Sequence, residues 1–119
     1  MNSLFLRGLD LFNAGRYFDA HEVWEDLWRE TDGPDKLLVQ GLVQSAVALH
    51  HASTGNYVGA RSVMERAITN IGGCRVYKGA DVAQMRRELR QACDQMDRQQ
   101  PFAAWVLPQL RRSAPADEP

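Results

Sequence analysis

Cysteine is scarce in this 119-residue chain: only Cys74 and Cys93 occur, far apart and with no CxxC spacing. That argues against a disulfide framework and a cysteine zinc site, and reads as reduced thiols in a cytosolic protein. Charge of one sign is lacking too, since 14 Lys and Arg stand against 15 Asp and Glu for a formal net charge of −1. Nucleic acid and acidic membrane both favour a basic surface, so neither is expected as a partner. Long hydrophobic runs are missing. The longest, Leu37 to Leu49, is broken by Gln40 and Gln44 and is too short to span a bilayer. The opening "MNSLFLRGLDLF" sets Arg7 and Asp10 inside its apolar pattern, so no signal-peptide core is read there. A soluble, cytoplasmic protein is expected. No glycine-rich phosphate loop occurs, and no Ser or Cys nucleophile has a credible His partner. Nor does any stretch alternate as a half-buried strand would.

What is present is helical periodicity, almost throughout. The length suits a single domain, which at this size buries roughly 65% of the surface its unfolded chain exposes. Leu4/Phe5, Gly8/Leu9 and Leu11/Phe12 mark a first helix that stops near Asn13 to Gly15. Tyr17, Ala20, Trp24, Leu27 and Trp28 line one side of a second, ended by "TDGPD". A third, about Asp35 to Ser53, is apolar nearly all round and reads as a central buried helix. A fourth follows "TGNY"; "GGCRVYKG" reads as a loop; and Asp81 caps a fifth, which Pro101 ends. "FAAWVLPQL" is expected as an apolar flap over the core. The domain is placed at residues 1–110 and a disordered tail at 111–119.

"GRYFDA" (Gly15 to Ala20) and "GNYVGA" (Gly55 to Ala60) share the pattern Gly-x-Tyr-x-x-Ala. This resembles the helix-turn-helix of tetratricopeptide repeats, although two copies are fewer than a solenoid needs. The fold class is all-α: a compact bundle of about five helices, built from two helical hairpins and a closing C-terminal helix.

The three histidines concentrate the chemistry. Phe18, His21, Glu25 and Trp28 share one stripe of the second helix, and Gln40, Gln44, Val47 and His51 one stripe of the third, with His50 beside it. Glu22 lies further round, toward Asp26 and Arg29. A buried, unsatisfied polar group costs ~1–3 kcal/mol, so these side chains need partners on the facing helix. They could bond one another as a structural network. Alternatively, His21, Glu25 and His50 ligate a divalent metal (Zn, Mn or Fe) and leave an open position for water, with Glu22 as general base. A third possibility is a polar pocket that takes a small ligand without metal. Tyr17, Trp28, Gln40, Gln44 and His51 complete the polar site. "HEVWE" has Glu25 where H-E-x-x-H requires its second histidine, and the paired E-x-x-H of a di-iron bundle is lacking. Whether His50 or His51 faces the site depends on helix rotation.

"FNAGRYFDAHEVWEDLWR" and "QGLVQSAVALHHASTGNYVGA", with a weaker "VYKGADV", resemble a bacterial and archaeal family known as domain of unknown function 309. The resemblance covers most of residues 11 to 83 and implies a compact all-α domain. From the label of predicted metal-dependent hydrolase that family members carry, it also implies metal-assisted hydrolysis. Its motif positions here are Tyr17, His21, Glu22, Glu25, Trp28, Gln40, Gln44, His50 and Gly55. Two functions are therefore carried forward. One is a divalent-metal-dependent hydrolase with a buried His/Glu/Gln site. The other is a non-catalytic, repeat-like interaction module for a small-molecule or protein partner, in which the polar cluster is only a structural hydrogen-bond network.

Overall fold

A computed structural model of the chain describes residues 3–113. Five helices follow in order: α1 Leu4–Asn13, α2 Tyr17–Glu30, α3 Asp35–Ser53, α4 Tyr57–Ile71 and α5 Val82–Asp97. A hairpin of two-residue strands, β1 Val76–Tyr77 and β2 Ala80–Asp81, joins α4 to α5, and a 3₁₀ turn, Phe102–Ala104, follows α5. The all-α bundle read from periodicity is present. The hairpin is an addition inside the segment expected as a plain loop. Its turn residues, Lys78 and Gly79, have φ of 48° and 80°, the mirror-image turn that suits strand twist. Strands of two residues are too short to show alternation.

Side chains start three of the five helices, α1, α4 and α5. Ser3, Asn56 and Asp81 each accept the backbone N–H three residues on, at 3.0, 3.0 and 2.9 Å. Three helices also stop alike. The N–H of Arg16, Asn56 and Gln100 returns to the carbonyl of Leu11, His51 and Gln95, at 2.9 Å in each case. That closure needs a left-handed residue just before, supplied by Gly15 (φ 82°), Gly55 (φ 87°) and Gln99 (φ 59°). The Gly-x-Tyr-x-x-Ala pattern is thus a helix stop coupled to the next helix start.

Neighbours in sequence are neighbours in space: α1 packs on α2, α2 on α3, α3 on α4, and α5 mainly on α4. Trp24 lies at the centre of the first pair, fully buried, with Phe12 at 5.5 Å and Phe5 at 6.5 Å between ring centroids. Its indole N–H donates to the Phe5 carbonyl at 3.2 Å. Such closeness rests on Gly8, where an added Cβ would stand 2.1 Å from the indole nitrogen. Gly41 does the same between α3 and α4, where a Cβ would come within 2.9 Å of Ile71.

Residues 102–113 run back over the helices as a strap, as expected of the apolar flap. Its Trp105, Pro108 and Leu110 are buried. Polar clamps hold it. The Asn13 side chain both donates to and accepts from the Leu110 backbone, at 2.9 and 2.8 Å. Glu88, buried on α5, accepts the Gln109 N–H at 2.9 Å and the Arg111 guanidinium at 2.8 Å. Arg111 to Ser113, expected in the tail, instead pair with the hairpin: Asp81 N–H donates to the Arg111 carbonyl and Ser113 N–H to that of Gly79. The rest of the expected tail, residues 114–119, lies outside the described residues.

Candidate functional site

The α2 and α3 helices meet along a seam that stays partly open among the described residues, with α1 packed mainly on α2, α4 on α3 and α5 on α4. This decides the exposure of every residue on the two stripes. α3 buries one broad side, including Leu38, Leu42, Ser45 and Leu49, but Gln40, Val43, Gln44, Val47, His50 and His51 are only half-buried. On α2, His21, Glu25 and Trp28 are half-buried and Glu22 is exposed. The expectation of a buried site between a fully enclosed third helix and the second is therefore corrected. The residues line an open groove.

Towards the C-terminal end of α2 the groove deepens to a cleft of about 230 Å³, lined by Glu25, Trp28, Gln40, Val43 and Gln44. Its cations are already engaged. The Lys36 ammonium donates to the carbonyls of Trp28 and Thr31, at 2.8 and 3.2 Å, and sits 3.8 Å from the Trp28 ring centroid. Arg29 donates to Asp26 at 2.7 Å and reaches Glu25 only at 3.7 Å. The amides are less committed. Gln44 Oε1 accepts from Asn70 of α4 at 2.7 Å, which leaves its NH₂ available, and Gln40 has no partner among the described residues. The Trp28 indole N–H is buried without a hydrogen-bond acceptor. Such an orphan donor costs about 1–3 kcal/mol relative to a satisfied one.

At the other end of the groove stands Phe18, half exposed, with the His21 ring at 5.0 Å and the His50 ring at 5.4 Å. The paired histidines are thereby distinguished. His50 turns toward α2, whereas His51 turns to Asn56, with nitrogens 3.4 Å apart. His21 Nδ1 lies 2.7 Å from the Phe18 carbonyl one turn back and is committed to its own helix. Tyr17 is buried away from the groove, its ring edge-on to Phe12 at 5.5 Å, and its hydroxyl has no partner among the described residues. Burial pushes that phenol above its ordinary pKa.

This arrangement brings together Glu25, Trp28, Gln40 and Gln44, and separately Phe18, His21 and His50. It does not bring His21, Glu25 and His50 together. Among the described residues no group of three or more His, Cys, Asp or Glu side chains could hold a metal ion. Phe18 packs against both imidazoles, and Glu25 lies 3.7 Å from Arg29. The residues present do not fit the expected ligand set. The network alternative is not assembled either, for no side-chain hydrogen bond crosses from α2 to this stripe of α3 among the described residues. Two contributors had no signal in the sequence. Asn70 reaches Gln44 from another helix, and Lys36 folds back over Trp28 from across the "TDGPD" turn. Neither contact follows a helical spacing.

The family model described as Domain of unknown function (DUF309) matches residues 5–63, which span α1 to the start of α4 and hold every candidate site residue. An uncharacterized protein of Aquifex aeolicus is 27% identical over 82 residues, 67% of this chain and 25% of that protein. The uncharacterized protein YpuF of Bacillus subtilis is 42% identical over 60 residues, 48% of this chain and 34% of its own length. The chain thus spans about a quarter to a third of the curated relatives it matches.

Proposed function

We propose that this chain, which belongs through residues 5–63 to the domain of unknown function 309 family, is a non-catalytic binding module. Its ligand site is the α2–α3 cleft. One observation carries the reading: the polar groups of the cleft do not satisfy one another. Among the described residues the Trp28 N–H finds no acceptor, Gln40 makes no hydrogen bond and the Gln44 NH₂ is not engaged, and all three residues line one concavity. A cluster kept only for stability would close its hydrogen bonds internally. A cleft of about 230 Å³ is also smaller than the roughly 300–1,000 Å³ usual for cofactor and small-molecule pockets. It suits one side chain or a group of that size, and the rest of the groove offers surface for what is attached to it.

The test is a chemical-shift survey of ¹⁵N-labelled protein. N-acetyl amino-acid amides of cationic, anionic, neutral polar and apolar type are added in turn, and Zn²⁺ and Mn²⁺ separately. At least one amide should move the Trp28 indole and the Gln40 and Gln44 side-chain signals saturably, and Gln40→Ala should weaken that response. No response in any class would overturn the reading. So would stoichiometric metal held through His21 and His50, which would restore the metal-dependent hydrolase.

A further inference from the structure

The chemistry of the cleft selects among those classes, on the premise that it is a ligand site at all. Both positive groups beside it are spent. Lys36 caps the end of α2 and covers a face of Trp28, and Arg29 is held by Asp26. An anionic ligand would find no free cation. Glu25, by contrast, is half exposed and paired only loosely, at 3.7 Å. The surroundings agree in sign: α2 carries Asp19, Glu22, Glu25, Asp26 and Glu30 against Arg29 alone. The half-exposed Glu25 carboxylate and the Gln40 amide oxygen, the acceptors beside a space of side-chain size, match a planar guanidinium better than an ammonium. The guanidinium fork can donate to the Glu25 carboxylate and the Gln40 amide oxygen together, the Gln44 oxygen being engaged by Asn70.

The groove also says what the guanidinium is attached to. Phe18 lies ten residues before Trp28 on the same helix, about 15 Å away at ~1.5 Å per residue. An extended peptide covers that distance in roughly five residues. Phe18 keeps half its surface open between His21 and His50, so it can receive an apolar side chain from such a peptide. We propose that the α2–α3 groove binds an extended segment of a partner polypeptide, with an arginine in the Glu25/Trp28/Gln40/Gln44 cleft and an apolar residue against Phe18. The complementarity is acidic groove to basic segment.

The experiment follows the Trp28 indole signal of the full chain. The probes are a pentapeptide with arginine at one end and leucine at the other, tested in both orders, its citrulline analogue, and free arginine. One order should bind saturably. Citrulline in place of arginine, Glu25→Gln, and Phe18→Ala should each weaken binding, the first two about tenfold or more. Glu25 and Phe18 are exposed enough for both variants to fold, which circular dichroism checks. Equal binding of the citrulline peptide would overturn the arginine assignment. Free arginine binding as tightly as the peptide would overturn the polypeptide source. If the arginine probes fail while another class still moves Trp28, this inference falls and the binding-module reading stands.

Discussion

Replacing Gly8 with alanine tests the packing of the first helical hairpin most directly. In an exposed helix interior that change is stabilising by about 1 kcal/mol, because alanine loses less conformational freedom than glycine. Here the sign should reverse. The new Cβ would stand 2.1 Å from Trp24 Nε1 and 2.3 Å from Cδ1, far inside van der Waals contact. Trp24 cannot swing aside: it is fully buried, with Phe5 and Phe12 against it and its N–H on the Phe5 carbonyl. Overpacking of this kind costs about 1–3 kcal/mol and sometimes more, so a net loss of roughly 1–2 kcal/mol is expected after the propensity gain. For a domain this size that lowers the melting temperature by roughly 3–12 °C. Thermal and urea unfolding of Gly8→Ala would be compared with the parent, then repeated in Trp24→Phe. The phenylalanine ring lacks the pyrrole edge that meets the Cβ. In that background Gly8→Ala should become neutral or stabilising, a coupling of about 1–3 kcal/mol for groups in direct contact. A Gly8→Ala protein as stable as the parent would refute the close approach of α1 and α2.

Gln99 should be improvable: it closes α5 in the left-handed region with φ 59°, so Gln99→Gly is expected to raise stability by about 1 kcal/mol in urea unfolding. Glu88 should make the strap acid-sensitive. Burial alone would raise its carboxyl, but hydrogen bonds from Gln84, Arg111 and the Gln109 amide outweigh burial and hold it below the ordinary carboxylate range. A lowered folded value means that its contribution is complete above the unfolded glutamate value, about pH 4.3, and fades as pH falls below it. Glu88→Gln should flatten the acid limb of the stability–pH curve and cost about 1–2 kcal/mol at pH 7, half-exposed Arg111 limiting the loss. Adding a chelator, Zn²⁺ or Mn²⁺ should leave the melting temperature unchanged, since no donor group converges on a metal among the described residues. A metal-dependent rise of several degrees would contradict that placement.

Helix number, helix boundaries and the buried face of every helix but α3 were legible in the sequence because they are local. Apolar spacing, the Asp81 cap, and glycines at 15 and 55 each act within a turn or two of chain. The same reading put the right residues on two facing stripes. Three things it could not supply. Whether α3 is covered on all sides depends on where α5 docks, and α5 packs mainly on α4, with the groove left partly open. The direction of His21, Glu25 and His50 depends on side-chain competition: Phe18 packs against both imidazoles, Arg29 attracts the carboxylate, and the Phe18 carbonyl holds the ring of His21. The hairpin and the strap edge depend on long-range pairs, Asn13 with Leu110 and Gly79 with Ser113, which no period announces. Periodicity determined which residues turn toward a neighbour. Only the tertiary structure decided which neighbour arrives, and so whether the polar stripe became a closed core or an open cleft.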